Sequence, residues 1–375
     1  ITSKGIAWRK HSYSAGNTYD QSPLKYYLQK IQGWREKDNK ARFLFGHALE
    51  EAIQWHHDHD GIGAVEDFKH RWVQHKDSNL VYTATEKDWE TLNLDGQEMI
   101  KLYIIRQSEL PIPLGGCSVF QREIAKEVFP GDPNYGEIED AGRLDIIAYV
   151  QPDHPLLEPI QWNPEWGAYR PLIVDIKTSS IDFPEQPGIA AFDKQLRRYS
   201  WLSGIRDVAL LGFKKTGRSL RKGSLVTLLG DAYKGGIVNI REPFFKAGSE
   251  AIIAKTENDL SWIVLNESLI DNYKEFGIPV PNEILTRQRL QFISGRVTDQ
   301  SANEAGEIAA RQIVQIVNSW KNKSWINNFG IRYPQDDRND PYFRAFVLND
   351  KMFKDQNFTK NEEESFNDLL EDTED

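Results

Sequence analysis

Four short stretches carry residue types suited to hydrolytic chemistry: Gly46-His47, Gly142-Arg143-Leu144-Asp145, Asp175-Ile176-Lys177 and Gln195-Leu196-Arg197-Arg198-Tyr199. Asp175 and Lys177 close an otherwise apolar run, Leu172-Ile173-Val174, that reads as a strand. Side chains two apart on a strand share a face, so Asp175 and Lys177 project together while Ile176 turns the other way. Opposite charges at the end of a buried strand are costly unless partners meet them. A divalent cation is one such partner. The carboxylates of Asp145 and Asp175 are hard oxygen ligands of the kind that Mg²⁺ and Mn²⁺ take, and His47 would add a nitrogen that shifts the preference toward Mn²⁺. Such an ion activates water and offsets charge on phosphoryl oxygens, which suits phosphodiester hydrolysis. Lys177 beside it would orient the water or stabilise the transition state. Gln195 and Tyr199, one helical turn apart, would hold Lys177 and the substrate phosphate. Each motif alone has a plain structural reading, an edge charge pair for Asp175 and Lys177 or an ordinary helix face for Gln195 and Tyr199. Their order along the chain is what makes a site.

The elements that must position these residues follow from hydrophobic spacing. Residues 41–58 read as a helix, with Leu44, Ala48, Ala52 and Trp55 three or four apart and His47 sharing a face with Glu51. Residues 85–110 read as a second helix. Then the texture changes. Residues 118–128, 140–150 and 171–180 are short, β-branched and separated by Pro and Gly, and read as strands. Residues 190–204 read as a helix stopped by Gly204, and 207–217 as another strand. Strand, strand, strand, helix, strand is an α/β pattern. The Pro- and Trp-rich interval 151–170 reads as a loop inserted between two strands; it either shapes access to a site or is a surface loop without a role. Residues 301–320 read as a helix with Ser301 and Glu304 as a capping box. No phosphate-binding loop of the GxxxxGK[ST] type occurs, so ATP hydrolysis is not expected.

This ordered set resembles the PD-(D/E)xK nuclease superfamily, and within it the RecB-type branch. The resemblance begins at residues 11–28, HSYSAGNTYDQSPLKYYL, similar to an opening in which S-x-S leads through a Tyr to a Cys-Pro and a further Tyr. It continues through Gly46-His47, Asp145, Asp175 with Lys177, and Gln195 with Tyr199, bracketing about 190 residues. It implies an α/β fold with a restriction-endonuclease-like core, a mixed sheet flanked by helices, and helical N- and C-terminal additions. The chain then divides into a helical part with the His motif (1–117), the nuclease core (118–225), a mostly helical part packed on the core (226–350) and an acidic tail (351–375). By the same resemblance His47, Asp145, Asp175 and the carbonyl of Ile176 would ligate Mg²⁺ or Mn²⁺. Lys177 would be the catalytic lysine, Gln195 and Tyr199 would complete the site, and Glu123 on the preceding strand would be a supporting acid. The implied activity is a metal-dependent deoxyribonuclease, an exonuclease on single-stranded or end-processed DNA. DNA is the implied partner, with a helicase or recombination factor as a protein partner and no membrane.

Two departures from the branch stand out. Many members carry a four-cysteine iron–sulfur cluster, but this chain has one cysteine, Cys117, and Ser22-Pro23 stands at the first cluster position. No iron–sulfur cluster is expected. The joining of the two ends must then rest on packing, with Tyr26, Tyr27, Trp325, Phe329, Tyr342, Phe343 and Phe346 as candidates. The second departure is the 151–170 insertion, which separates Asp145 from Asp175 by 30 residues.

The 375 residues include 46 basic and 56 acidic ones, a net charge of −10, with 39% hydrophobic content. That composition excludes collagen-like and wholly disordered classes. No apolar run is long enough to span a bilayer, and the first residues lack the apolar core of a secretory signal. A single cysteine excludes an internal disulfide and fits a reducing, cytoplasmic setting. Residues 361–375 hold eight acids and no base, and read as a solvated tail or as a mimic of nucleic acid guarding a basic groove. Residues 194–222 hold nine bases against one acid, Asp207. That run is either a solvated face or a phosphate-binding surface, with Arg143, Lys194, Arg197, Arg198, Lys214 and Lys215 as candidate DNA contacts. Trp162, Trp166 and Trp201 are candidates to stack on unpaired bases, although core packing explains Trp201 equally well. The His56-His57-Asp58-His59-Asp60 cluster reads as a polar helix end rather than a surface metal site. Two rival functions remain beside the nuclease: a DNA-binding or assembly factor whose catalysis is lost, and an unrelated HD-type phosphohydrolase acting on nucleotides.

Overall fold

Aliphatic and β-branched residues crowd the chain between 118 and 214, and there it forms the long strands of a mixed sheet. The computed structural model describes residues 9–82, 88–184, 186–233, 243–326 and 340–360. Six strands make the main sheet: β1 (Lys10–Ser12), β2 (Ser118–Glu127), β3 (Glu139–Val150), β4 (Arg170–Ser179), β5 (Asp207–Lys214) and, later in the chain, β11 (Arg289–Arg296). β4 and β5 run parallel, with Lys177 opposite Gly212; β11 pairs antiparallel with β5 at the edge. The parallel step from β4 to β5 needs a crossover, which is the helix α5 (Lys194–Ser203).

The central feature is β3, which serves three partners with two edges. β2 occupies one edge, pairing residues 139–148. On the other edge β4 pairs with residues 146–150 and β1 with residues 139–141. The stretch Gly142-Arg143-Leu144-Asp145 falls between these two partners, with no strand ladder on that edge. The side-chain alternation also slips there. Leu144 joins the apolar cluster under α5, whereas Ile146 joins the cluster on the opposite face. A slip of this kind re-aims a side chain out of the regular pleat, and Asp145 is the residue at the slip.

Helices cover both faces. On one side lie α2 (Ala41–Asp58), α3 (Ala64–Val73) and α4 (Trp89–Arg106), burying Phe45, Leu49, Ile53, Phe68, Trp72 and Tyr103 against Ile146, Val174, Ile176 and Leu211. On the other side lie α5 and α6 (Asp299–Asn322), burying Leu196, Tyr199 and Ala302 against Leu144, Ile173 and Val208. The N-cap of α6 is Thr298, whose hydroxyl accepts from the backbone of Ser301, so the helix starts one turn before the expected Ser301 box. His56 and His57 are buried rather than being a polar helix end. His57 Nε2 lies 2.6 Å from the Tyr103 hydroxyl, and burial pushes its pKa down to about 4. The helix end carries them inward because residue 56 continues the buried face set by Phe45, Leu49 and Ile53.

Residues 226–296 correct the expectation of a mostly helical part. After β6 (Leu225–Leu228) come β7 (Glu250–Glu257), β8 (Leu260–Val264), β9 (Ile278–Pro281) and β10 (Leu285–Thr286). These five form a second, antiparallel sheet in the order β9-β8-β7-β6-β10 around its own core of Val226, Ile253, Ile263 and Val280. Burial alternates along these strands, with Ala251 and Ile253, and Ser261 and Ile263, buried and Ile252 and Trp262 only partly so, a period of two rather than of a helix.

The two ends of the chain pack together through aromatic rings. Trp325 stacks on Tyr27 at 5.0 Å and on Tyr26 at 6.1 Å. Tyr342 and Phe346 pack with Trp34 and Phe358, and Lys25 bonds Asp340 at 2.6 Å. Residues 358–360 pair antiparallel with residues 34–36. Phe329 and the acidic residues 361–375 lie outside the described residues. Among the described residues, no helix is long and apolar enough to cross a membrane.

Candidate active site

Asp145 and Asp175 meet where β3 and β4 part. The ladder between these strands ends at Ile146 and Val174, so the next amide of β4 that would bond β3 needs another acceptor. The Asp145 side chain supplies it: Oδ2 accepts from the backbone N–H of Ile176 at 2.7 Å. The Asp145 carboxylate therefore reaches the residue between Asp175 and Lys177. Ile176 packs into the α2 side of the sheet, while Asp175 and Lys177 face α5.

Asp175 is 1% exposed, and no backbone amide or neutral side chain among the described residues donates to its carboxylate. Lys177 Nζ stands 3.2 Å from Oδ2 as an ion pair. Burial raises the Asp175 carboxyl above its usual range, and Lys177 opposes that rise. Lys177 loses solvent too, but the Asp175 and Asp145 carboxylates hold its ammonium protonated well beyond the ordinary lysine range. Its Nζ donates to Gln195 Oε1 at 3.0 Å, and Gln195 Nε2 donates to the Tyr199 hydroxyl at 2.8 Å. This chain fixes the lysine from α5. Burial, then the two carboxylates, keep the Tyr199 phenol neutral.

α5 is built for this. Asp193 caps its first turn by accepting from the amides of Gln195 and Leu196, and Gly204 ends it in the left-handed region at φ 79°. The cap also puts a third carboxylate close enough to raise the Asp175 carboxyl. Asp193 is thus a site residue that the motif order does not reveal; its one signal is its position two residues before Gln195. Tyr13 is another. Its phenol feels the charges of both Asp193 and Lys177, and burial raises its pKa. Gly142 is the third. A methyl group there would lie 2.7 Å from Tyr199 Cε1, so the glycine is what lets the ring seat over β3.

His47 is not brought into this set. It lies on α2, on the other side of the sheet from α5, with Nε2 3.5 Å from Glu51 and its side chain 41% exposed. Among the described residues, no group of three or more His, Cys, Asp or Glu side chains gathers in a way that could hold a metal. His47 instead lines a groove of about 830 Å³ with Ser14, Phe43, Gln121 and Arg143. Arg143 comes from the open stretch of β3 and so links that groove to the acidic cleft. Glu123 is exposed and lies opposite Arg143 in register, away from the acids.

The candidate DNA contacts divide. Arg198 is buried in a bidentate pair with Asp140 and also donates to Gln312, so it binds the fold together and not a ligand. Its place on α5 turns it inward beside Tyr199 and Ser200. Lys214 pairs with Asp182, and Arg197 donates to the Ala191 carbonyl at 2.9 Å. Lys215 sits over the Phe45 ring at 5.3 Å, and Lys194 is exposed at the start of α5. Trp201 packs against Gly306 of α6, where any side chain would collide with its indole, so it is a packing residue. Trp166 is 58% exposed in the 151–170 loop.

The donor set suits a divalent cation in part. The buried, unsatisfied oxygens of Asp175 beside the Asp145 carboxylate are hard ligands, which Mg²⁺ or Mn²⁺ would satisfy. His47 does not complete that set.

No protein-family model matches the chain, and no curated protein matches it. Among solved structures, a Eubacterium rectale protein given the provisional name of exonuclease aligns over 85% of this chain and 87% of its own, at 13% identity and a TM-score of 0.38. The protein SSO0001 aligns over 52% of this chain and 69% of its own, at 12% identity and a TM-score of 0.19. Neither overlap is close enough to carry an inference about this chain.

Proposed function

We propose that the chain is a metal-dependent nuclease that hydrolyses phosphodiester bonds of DNA, an exonuclease on single-stranded or end-processed substrates. The observation that supports this reading is the contrast among its buried carboxylates. Asp140 is met by Arg198, and Asp207 by Arg170 and Arg296, each through two or more charge-assisted bonds. Asp95 accepts from Gln288 and Arg218. These three acids are met within the fold. Asp175 is as buried as these, yet among the described residues its one close partner is the Lys177 ammonium at 3.2 Å, and a buried carboxylate held so sparingly is a candidate for function.

A Mg²⁺ or Mn²⁺ ion held by Asp145, Asp175 and the Ile176 carbonyl would activate water and offset charge on the scissile phosphate. The remaining work belongs to the protein. Asp145 holds the Ile176 amide and so fixes the start of the Asp175-Ile176-Lys177 segment. Lys177 stays protonated between two carboxylates and presents positive charge toward a phosphoryl oxygen. Gln195, steadied by Tyr199, fixes where that ammonium sits beside Asp175.

A second reading, a DNA-binding or assembly factor with catalysis lost, draws on one observation: His47 stands apart from the two acids. One experiment separates the two. The full chain is incubated with labelled single-stranded, double-stranded and circular DNA, with Mg²⁺, with Mn²⁺ and with chelator, beside Lys177→Ala. Cleavage that needs the cation and disappears in Lys177→Ala supports the nuclease. DNA binding without cleavage under any cation selects the second reading.

A further inference from the structure

Several bases of the run between 194 and 222 are committed to ion pairs within the chain, one buried and two at the surface. Arg198 serves Asp140, Arg206 serves Asp299 and Lys214 serves Asp182. Beyond the end of β5 the accounting changes. Residues 217–225 and Arg287 enclose a pocket of about 560 Å³, lined by Arg218, Arg221, Lys222 and Arg287 with the hydroxyls of Ser219 and Ser224. No acidic side chain lines it. Arg218 is held from α4 by Asp95 and Glu98, and Lys222 reaches the exposed Asp271 at 2.9 Å. Arg221 and Arg287 form no ion pair among the described residues.

Both are nonetheless held in place. Arg287 donates one terminal nitrogen to the Ser219 carbonyl at 3.1 Å, while its Nε is buried and donates to nothing. Arg221 Nε donates to Ser219 Oγ at 2.9 Å. The loop itself is pinned to the second sheet: the Gly223 amide donates to the Ile253 carbonyl at 2.7 Å, with glycine required by a φ of 81°. Two guanidinium groups anchored on one serine, with a buried N–H unmet and no acid lining the pocket, make a preformed anion receptor.

We propose that this pocket binds a backbone phosphate of the nucleic-acid strand whose scissile bond lies in the acidic cleft; the inference rests on the nuclease reading above. Its place in the fold supports it. Lys177 is opposite Gly212, and the pocket begins five residues further along the same direction, at Gly217. Extended chain covers that interval in at most about 17 Å. Both lie toward the carboxyl end of the parallel strands β4 and β5, the end at which α/β sheets take their ligands, with the acids facing α5 and the pocket's Arg218 held from α4 on the other face. A strand held at both points would be tethered away from the bond being cut.

The test is binding without cleavage. A labelled single-stranded oligonucleotide of about ten nucleotides is titrated with the full chain in chelator, by fluorescence anisotropy over a salt series. Arg221→Gln/Lys222→Gln changes two exposed side chains, and Arg287→Gln removes the buried fork; circular dichroism and urea unfolding check each fold. The double variant should bind about tenfold more weakly. Its slope of log affinity against log salt should be shallower by about 0.7, the amount for one lost phosphate contact on a single strand. Unchanged affinity and slope in the folded double variant would overturn the proposal. A parallel titration with a nucleoside triphosphate separates backbone phosphate from free nucleotide. Loss of triphosphate binding in the variant with oligonucleotide affinity intact would also overturn it. Since no cleavage is measured, a wild-type chain that binds but never cuts removes the nuclease reading and with it the assignment to a scissile strand, while a weakened double variant would still establish the phosphate site. A chain that cuts while the double variant binds normally removes only this one.

Discussion

Gly142→Ala is the most informative single change, because it enlarges the site by one methyl group without touching a polar atom. Gly142 has no left-handed φ, so only space explains it. The new Cβ would stand 2.7 Å from Tyr199 Cε1, 3.2 Å from Cδ1 and 3.5 Å from Leu202 Cδ1. Carbon atoms rest at about 3.5–4.0 Å, so the ring must retreat by about 1 Å. It is 4% exposed and packed under α5, which leaves it little room. Overpacking of this kind costs about 1–3 kcal/mol. The retreat carries the hydroxyl with it. Gln195 is held to that hydroxyl at 2.8 Å and to Lys177 at 3.0 Å, and neither bond survives a shift of that size unchanged. Misplacing a reacting group by 1 Å costs about 100-fold in rate. Single-turnover cleavage of a labelled oligonucleotide with Mg²⁺ should therefore fall about 100-fold, with substrate affinity in chelator unchanged. Urea unfolding should show the stability cost. A variant that pays that cost and still cleaves at the wild-type rate would refute the reasoning. The link from Tyr199 through Gln195 would then not be what positions the lysine.

Asp145 has a structural task and a chemical one, and two variants separate them. Asp145→Asn keeps an oxygen for the Ile176 amide while Asp145→Ala does not, so both should lose cleavage but only the alanine variant should lose a further ~1–2 kcal/mol in urea unfolding; equal stabilities would refute the ladder role. Asp95, pushed up to about 6 from 3.8 by burial against the pull of Arg218, binds a proton in the folded chain that the unfolded chain releases. Stability should thus fall as pH rises through that window and level off above it. The unfolding free energy of Asp95→Asn relative to wild type should rise by about 2 kcal/mol between about pH 4 and pH 7, and a difference that does not change with pH would contradict the assignment.

The elements were legible where one period dominated. The α2 pattern spans residues 41–58 in the sequence and in the fold, and the strands around Asp145 and Asp175 fall within a residue or two of their expected bounds. The second sheet was not legible from residues 226–286, because its strands are short, four to eight residues in most cases, and separated by Asn- and Glu-rich turns. The pairing of Asp175 with Lys177 and of Gln195 with Tyr199 could be read from spacing, since i and i+2 on a strand and i and i+4 on a helix fix faces, whereas Asp145 joined them only through the order of the motifs. Spacing fixes a face only relative to its own element, however. It does not say where α2 would set His47 relative to the two acids, and among the described residues no group of three or more His, Cys, Asp or Glu side chains that could hold a metal forms. Charge counting failed at Arg198 for a similar reason: sequence shows a base on a helix, not that the helix turns it onto Asp140.

The open edge of β3 explains why these particular residues form the cleft. Two strands cannot share one edge of a third without a break, because each brings its own ladder. β1 holds the edge up to Ala141 and β4 from Ile146, leaving Gly142 to Asp145 between them. A break in a sheet exposes amides that must be satisfied, and the nearest acceptor with no strand role is the side chain of Asp145. A short polar residue is required at that point, and Asp supplies charge where Asn would supply only an oxygen. Gly142 at the other end of the break admits the Tyr199 ring. The same topological gap that costs the sheet part of its ladder thus places a carboxylate and a glycine where Asp175 and α5 converge. In this molecule the discontinuity in β3 is the feature from which the cleft is built.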